Sequence, residues 1–445
     1  MKIGQFAKKH GLTVSTIRFY IELGLLMPQK DGAQYRFTDA DDAEIALIQE
    51  LKELGYALKE MQKYISTVRL YAVRDAALNQ NLLLLLREKE QALIKQREFL
   101  DSSIKKLRHK ILFLQKELQR SEDRKSQTEK ESSASGASVP LSFVPLFVCP
   151  LCGDSLQMEQ AAISGCGITH ARLSCPCGYE AEIRDGMLFS GRLYAYETDP
   201  DFNRCFFGTY RKQSDYDSII FESATFSSPE LMILQHKSFL RLQAMLPKVC
   251  SASRMILVPD IACHQLYKLH QEAYLKGAAI VVLAFTPASI VPIQQYLNRL
   301  DLDILYVINQ DGCLPFRKKS ADAIVDYNGM CNFSFFNRTP FPQLFSPYLK
   351  DGAELFSASE FYAPQSKTLG IVKKTYKFSN PSVMTWPGMK RCLASCGFEL
   401  AEQEFLGSCS DPGKFWEYHY PGEQRSCICY HARKLPSQDA VQIVP

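Results

Sequence analysis

Four cysteines stand in two short pairs, Cys149-Pro-Leu-Cys152 and Cys175-Pro-Cys177, each followed directly by a glycine. Thiolates are soft donors, and four of them carried on two tight turns suit a tetrahedral zinc ion in a closed structural site. The glycines let backbone amides approach the sulfurs. The second pair has one residue between its cysteines instead of two, so Cys166 could replace one ligand, with His170 a weaker substitute. A reduced metal-free thiol set and a redox-sensing set both stay open. A second group of chemistry-bearing residues stands near the start of the chain: Ser15, Thr16, Arg18 and Tyr20, then Tyr35 and Arg36. Their hydroxyls and guanidinium groups can reach base edges and phosphates. Residues 1–38 carry Lys2, Lys8, Lys9, Arg18, Lys30 and Arg36 against only Glu22 and Asp31, while the whole chain has a net charge of only +4. A basic face confined to one small unit is what phosphate contact needs.

The elements that must position these groups follow from pattern. Ile3, Phe6 and Ala7 share a helical face, and Gly11 breaks that helix. Thr13 is a good N-cap for a second helix from Val14 to Tyr20, with Ile17, Leu23 and Leu25 closing a small core. Helix, short turn and second helix form a helix-turn-helix, whose second helix lies in the major groove. Beyond Pro28, a turn at Gly32 and the run Gln34 to Phe37 suit a two-stranded wing. Leu86, Leu93, Leu100, Leu107 and Leu114 recur every seven residues, and Ile104, Ile111 and Leu118 follow at the companion spacing. That is a coiled-coil seam on a long helix over 70–120, weakened early by Glu90 and Arg97. Such a helix needs a partner surface, either a second copy or its own C-terminal domain. Residues 121–144 read as a flexible polar linker. Residues 145–190 hold the cysteine cluster, and 200–435 alternate strand-like and helical runs.

At 445 residues, several domains are expected. Fifteen cysteines without an apolar leader point to a reducing, cytoplasmic setting. The run Leu82–Leu86 is too short to span a bilayer, so no membrane partner is expected.

Residues 1–68 resemble the DNA-binding domain of the MerR family. The landmarks are Ile3, Ala7, Gly11, Val14, Thr16, Arg18, Tyr20, Glu22, Gly24, Leu25, Pro28, Tyr35, Arg36, Asp41, Leu54 and Gly55. The resemblance implies that Arg18, Tyr20, Tyr35 and Arg36 contact double-stranded promoter DNA. Phe19 stands where the family often has tyrosine, so one polar contact is missing there. It further implies an antiparallel homodimer through the coiled coil, acting with RNA polymerase on a promoter whose spacer the protein bends and untwists. The physics of that step is indirect readout.

Residues 145–190 resemble the zinc ribbon that precedes class I methyltransferase domains. Residues 200–435 resemble such a domain, with strands at Met255, Ala279, Asp303, Ala323 and Ala353 and a helix from Met389 to Ser395. The expected Gly-rich cofactor turn is replaced by Val258-Pro-Asp-Ile-Ala-Cys263-His264, and the ribose-binding acid by Ala284; Asp311 remains where the family contacts adenine. Side chains would fill the cofactor's space, so ordinary S-adenosylmethionine binding is not expected. The domain then serves as an effector sensor or scaffold, for a small molecule the sequence does not identify; an active methyltransferase with its own DNA reader is the alternative. Cys427 and Cys429 face one side of a strand, as core. The aromatic run Phe333–Phe345 could pack a core or line a pocket. The expected fold class is therefore multidomain: an all-α winged helix-turn-helix with a long coiled-coil helix, a small zinc ribbon, and a Rossmann-like α/β domain.

Overall fold

A computed structural model describes residues 1–32, 34–70, 76–132, 138–165, 167–193, 225–246, 254–259, 269, 274–298, 300, 302–414, 416 and 418–436. The chain divides into two units, Met1–Gln127 and Thr128–Pro445.

The first unit opens with α1 (Ile3–Lys9) and α2 (Val14–Glu22), followed by β1 (Gln29–Asp31) and β2 (Gln34–Arg36). Then come α3 (Asp39–Glu53) and α4 (Leu58–Leu70), and α5 (Ala76–Ser132) begins within it. Phe6, Ile17, Tyr20, Leu25, Phe37, Ile45, Ile48 and Met61 form its core. The rings of Phe6 and Phe37 stack at 4.3 Å. Thr38 and Asp41 start α3 with reciprocal capping, the Thr38 amide donating to the Asp41 carboxylate at 2.7 Å.

The helix α5 runs to Ser132, beyond the expected start of the linker. The segment 121–132 is rich in Glu, Lys, Arg and Gln, which favour helix once one is nucleated. The linker's other expected end also differs. Val139 and Phe143 are fully buried, and β3 (Val139–Pro140) pairs with the cysteine-bearing sheet. Their apolar side chains belong to a core, not a solvated tether.

Among the described residues, the second unit is built on a twelve-stranded sheet. Its cysteine-rich part comprises β3, β4 (Gln157–Ser164), β5 (Gly167–Ser174), β6 (Glu180–Arg184) and β7 (Met187–Phe189). After α6 (Pro229–Met245) come β8 (Met255–Pro259), β9 (Ala279–Ala284), α7 (Pro287–Leu297), β10 (Asp303–Ile308) and β11 (Ala321–Tyr327). Two short helices, α8 (Gly329–Phe333) and α9 (Phe341–Phe345), lead to β12 (Leu349–Tyr362). α10 (Lys367–Thr375), α11 (Trp386–Ser395), β13 (Phe398–Cys409) and β14 (Arg425–Lys434) complete it.

Counting β8 as first, the order is 3-2-1-4-5-7-6, with β14 antiparallel to both neighbours. This is a doubly wound, Rossmann-like sheet, the class expected for the methyltransferase-like part. Both faces are covered, so the central strands β8 and β9 are apolar throughout. The ribbon is not a separate bead. Its last strand β7 pairs in parallel with β10, extending the sheet.

Candidate nucleic-acid interface and metal centre

Thr13 caps α2: its hydroxyl accepts from the Thr16 amide at 3.1 Å. The Ser15 and Thr16 hydroxyls lie 2.7 and 2.8 Å from the same oxygen. Three hydroxyls thus crowd the amino end of α2, where the helix dipole favours a phosphate or base acceptor. Ser15 and Arg18 are exposed and Thr16 is half-buried. Tyr20 differs: at 6% exposure its ring sits in the core beside Ile17, so packing is its evident task. Phe19, by contrast, is 46% exposed on the helix surface. An apolar group there suits a thymine methyl. Its exposure could have been read from its place on the face opposite Ile17 and Tyr20.

In the wing, Gln29 faces Arg36 and Lys30 faces Tyr35, with the Lys30 ammonium 5.7 Å from the Tyr35 ring centre. Gly32 takes φ +62° at the turn, which a side chain rarely adopts. The amino terminus fastens this hairpin, since the Phe37 amide donates to the Met1 carbonyl at 3.0 Å. Lys9 is not available as the sequence suggested. Asp42 accepts from it at 2.6 Å and pairs with His10 at 2.5 Å. The Lys9 and His10 side chains hold the Asp42 carboxyl below its ordinary range.

The carboxyl end of α2 is gripped by α4. Gln62 donates to the Leu23 carbonyl at 2.8 Å. Arg69 donates to the carbonyls of Gly24 at 2.6 Å and Leu25 at 2.7 Å, and forks onto Glu44 at 2.6 and 2.8 Å. Sequence reasoning did not single out Arg69, because its partners lie 25 to 45 residues away.

On α5, the seam residues stand out to solvent in this single chain; Leu107 is 60% exposed. Nearer its start, Lys89 pairs with Glu60 at 2.8 Å and lies 4.9 Å from the Tyr56 ring centre.

In the second unit, the sulfurs of Cys149, Cys152, Cys175 and Cys177 all lie within 4.8 Å of one another. Cys149–Cys177 and Cys152–Cys175 are 3.3 and 3.4 Å apart. Zinc–sulfur bonds of about 2.3 Å in a tetrahedron require sulfurs about 3.8 Å apart, so the donor set fits. Gly153 and Gly178, at φ +83° and +94°, close the two knuckles. The Leu151 amide donates to the Cys149 sulfur at 3.4 Å. Burial raises the Cys149 thiol, but the Cys152 and Leu151 amides outweigh it and bring it down to about 7. The one-residue spacing therefore suffices for four converging sulfurs. His170 is turned away, 3.4 Å from Asp185. Cys166 lies outside the described residues.

The expected cofactor loop, 260–264, also lies outside them. Ala284 ends β9 fully buried, its carbonyl accepting from the Asn309 amide at 3.0 Å. Asp311 is committed to a joint. Its carboxylate accepts from the Arg192 amide at 2.7 Å and the Cys313 amide at 2.9 Å. A side chain at Gly191 would place its Cβ 2.1 Å from the same carboxylate. This pins the end of the ribbon to the end of β10. Of the aromatic run, Phe333, Phe341 and Phe345 join the main core, while Phe335 turns toward Tyr376 and Tyr418.

A helix-turn-helix with a capped second helix and a two-stranded wing makes the first unit a winged helix-turn-helix domain. Residues 1–68 match the family model described as "MerR HTH family regulatory protein", so the chain carries a MerR helix-turn-helix at its amino end. It is similar to the HTH-type transcriptional regulator YfmP of Bacillus subtilis, 43% identical over 72 residues, covering 16% of this chain and 51% of that protein. It is also similar to the mercuric resistance operon regulatory protein of Pseudomonas fluorescens, 37% identical over 67 residues, covering 15% and 46%. The chain thus spans about half the length of the curated relatives it matches. Over 45% of the chain, the fold is similar to 76% of a geranyl diphosphate C-methyltransferase from Streptomyces coelicolor, at 12% identity and a TM-score of 0.34. Among the described residues no helix is long and apolar enough to cross a membrane.

Proposed function

We propose that this protein is a dimeric, sequence-specific regulator that binds promoter DNA through α2 and the wing. The observation that carries this reading is the hydroxyl-capped amino end of α2 with Arg18 exposed beside it. Ser15, Thr16, Arg18 and Phe19 face base edges, and Tyr35 and Arg36 face the phosphate strands. Two copies join through the exposed heptad seam of α5, because one such unit buries too little surface for specific affinity. RNA polymerase is then the partner at the promoter. The four thiolates hold a structural zinc ion, which fixes the two knuckles relative to each other. The α/β domain acts as an effector sensor or scaffold, since Ala284 offers no carboxylate to a ribose. The competing reading is an S-adenosylmethionine-dependent methyltransferase that carries its own DNA reader.

The test is selection of duplexes from random sequence with the full chain, then affinity measurements on the recovered site. Arg18→Ala should weaken binding by roughly 5- to 150-fold, matching about 1–3 kcal/mol for a guanidinium contact to a base. The dimer should persist. Absence of any preferred duplex, or unchanged affinity for the variant at moderate salt, would remove the regulator reading. Calorimetric titration with S-adenosylmethionine decides the C-terminal role: tight binding favours the methyltransferase, none favours the sensor.

A further inference from the structure

The outer face of α2 carries one residue that differs in kind from its neighbours. Ser15, Arg18, Phe19 and Glu22 are all exposed, and 3.6 residues per turn puts them within an arc of about 100°. Ile17 and Tyr20, on the opposite side, close the core. Ser15, Arg18 and Glu22 end in polar groups that water satisfies. Phe19 ends in a large apolar ring, 46% exposed and outside the unit's core. Its ring centre stands 6.2 Å from that of Tyr20, tilted by 42°, so Tyr20 leaves much of it to solvent.

What such a ring can meet in a duplex follows from the chemistry of the groove. The phosphate strands offer charged oxygens, which an apolar ring would strip of water without giving a bond in return. The major-groove edges of guanine, adenine and cytosine offer ring nitrogens, carbonyl oxygens and amino groups. Thymine adds an apolar group there, its C5 methyl. A phenyl ring laid on that methyl removes apolar surface of both partners from water. The rest of the face brings α2 to the groove: the Ser15 hydroxyl, 2.7 Å from that of Thr13, crowds the amino end, and the exposed Arg18 guanidinium suits guanine or phosphate. Phe19 lies about 6 Å along the helix from Ser15, within reach of the same stretch of bases.

We propose that Phe19 is a specificity-determining residue that selects thymine in the operator through its C5 methyl. The proposal rests on the DNA-binding reading of α2 and adds to it the identity of one base in each half-site. Charged and hydroxyl side chains on the same face hold the helix on the duplex, and the ring supplies a discrimination that they cannot, because a methyl neither donates nor accepts a hydrogen bond.

The experiment uses the full chain and the duplex recovered by selection from random sequence. Each thymine is replaced in turn by uracil, which keeps the base pairing and the O4 acceptor and removes the methyl alone. At one position in each half-site, uracil should weaken binding roughly fourfold, the equivalent of about 0.8 kcal/mol for one buried methyl. Replacement in both half-sites should weaken it about 15-fold, since well-separated positions contribute additively. Phe19→Ala should bind the thymine duplex less well and lose the distinction from uracil, whereas Phe19→Tyr, which keeps the ring, should retain it. Phe19 lies outside the core, so both variants should keep the parent's circular dichroism spectrum. No thymine whose methyl changes affinity by about twofold would overturn the proposal, as would a thymine preference that persists in folded Phe19→Ala. A selected duplex that is read without regard to its methyl groups removes this inference and leaves the regulator reading standing; absence of any preferred duplex removes both.

Discussion

Alanine at Arg69 should release the carboxyl end of α2 without touching DNA, and the size of that effect can be worked from four bonds. Two are charge-assisted bonds to the carbonyls of Gly24 and Leu25 at 2.6 and 2.7 Å, and two form the fork onto Glu44. Arg69 and Glu44 keep 21% and 27% of their side chains exposed, so solvent screens the fork and it contributes only about 0.5–1 kcal/mol. The carbonyl bonds contribute about 1 kcal/mol each, because water can hydrate part of what alanine uncovers. The expected loss is therefore about 2–3 kcal/mol. Tryptophan fluorescence cannot follow it, since both tryptophans, Trp386 and Trp416, lie in the second unit. Amide hydrogen exchange can. Leu25 and Leu26 donate to the Tyr20 carbonyl at 2.9 and 3.2 Å, and exchange only when that turn opens. Their rates should rise roughly 30- to 150-fold in the full chain, with β14 amides unchanged. Arg69→Lys keeps a charge but not the fork, and should fall about midway. Acceleration below threefold in the alanine variant would refute the reasoning, because the Gly24 and Leu25 carbonyls would then be held by something other than Arg69.

Cys149→Ser should cost the protein one equivalent of bound zinc, and hydrogen exchange should rise in 187–189 and in 303–308 together, since β7 and β10 share a ladder; equal metal content in variant and parent would refute the site. Burial pushes the Glu423 carboxyl up, but hydrogen bonds from Ser366, Thr368 and Lys367 prevail and bring it down to about 2 from 4.5. Its folded pKa is depressed, so its stabilising effect is complete above about pH 4.5 and fades as pH falls toward 2. Proteolysis of 410–424 should speed up across that window and be flat in Glu423→Gln, whereas a flat profile in the parent would count against the assignment. Leu107→Glu on the exposed seam should convert a sedimenting dimer to monomer while α2 stays folded, and an intact dimer would place the association elsewhere.

What the sequence made legible was mostly local. Thr13 as a cap, Gly32 as a wing turn, and the cores of β8, β9 and β10 follow from residues within a few positions of one another, where hydrogen bonding and side-chain alternation decide the outcome. The paired cysteines were readable because thiol spacing is itself the signal. Tyr20 was harder. A tyrosine on a recognition helix can point either way, and its burial depends on Leu25, Phe37 and Ile45 closing over it. The end of α5 is hidden for a different reason. Polar composition reads as a tether, yet Glu-, Lys- and Gln-rich segments continue a helix that apolar residues have already started. Arg69 carries no local mark at all, since it acquires its role from a turn far away in the chain.

Asp311 shows where local reading ends and what the joint is for. Its position beyond β10 suits a ligand contact, but its oxygens receive the amides of Arg192 and Cys313. Arg192 is 119 residues away in sequence. The same neighbourhood is stitched again on the other side of the ribbon, where the Val148 amide, next to Cys149, donates to the Pro315 carbonyl at 3.1 Å, and Phe147 bridges to Phe316. Without the ribbon, β10 would be a bare parallel edge of apolar Ile304, Leu305, Val307 and Ile308, a template for pairing with another chain. With β7 laid along it, that edge is covered, and the knuckle thiolates sit a few residues from the stitch. A metal held at the four sulfurs would thus stabilise the covering of an edge strand, not a detachable module. The ribbon and the α/β domain should therefore unfold as one cooperative unit when zinc is bound, and lose that cooperativity when it is removed.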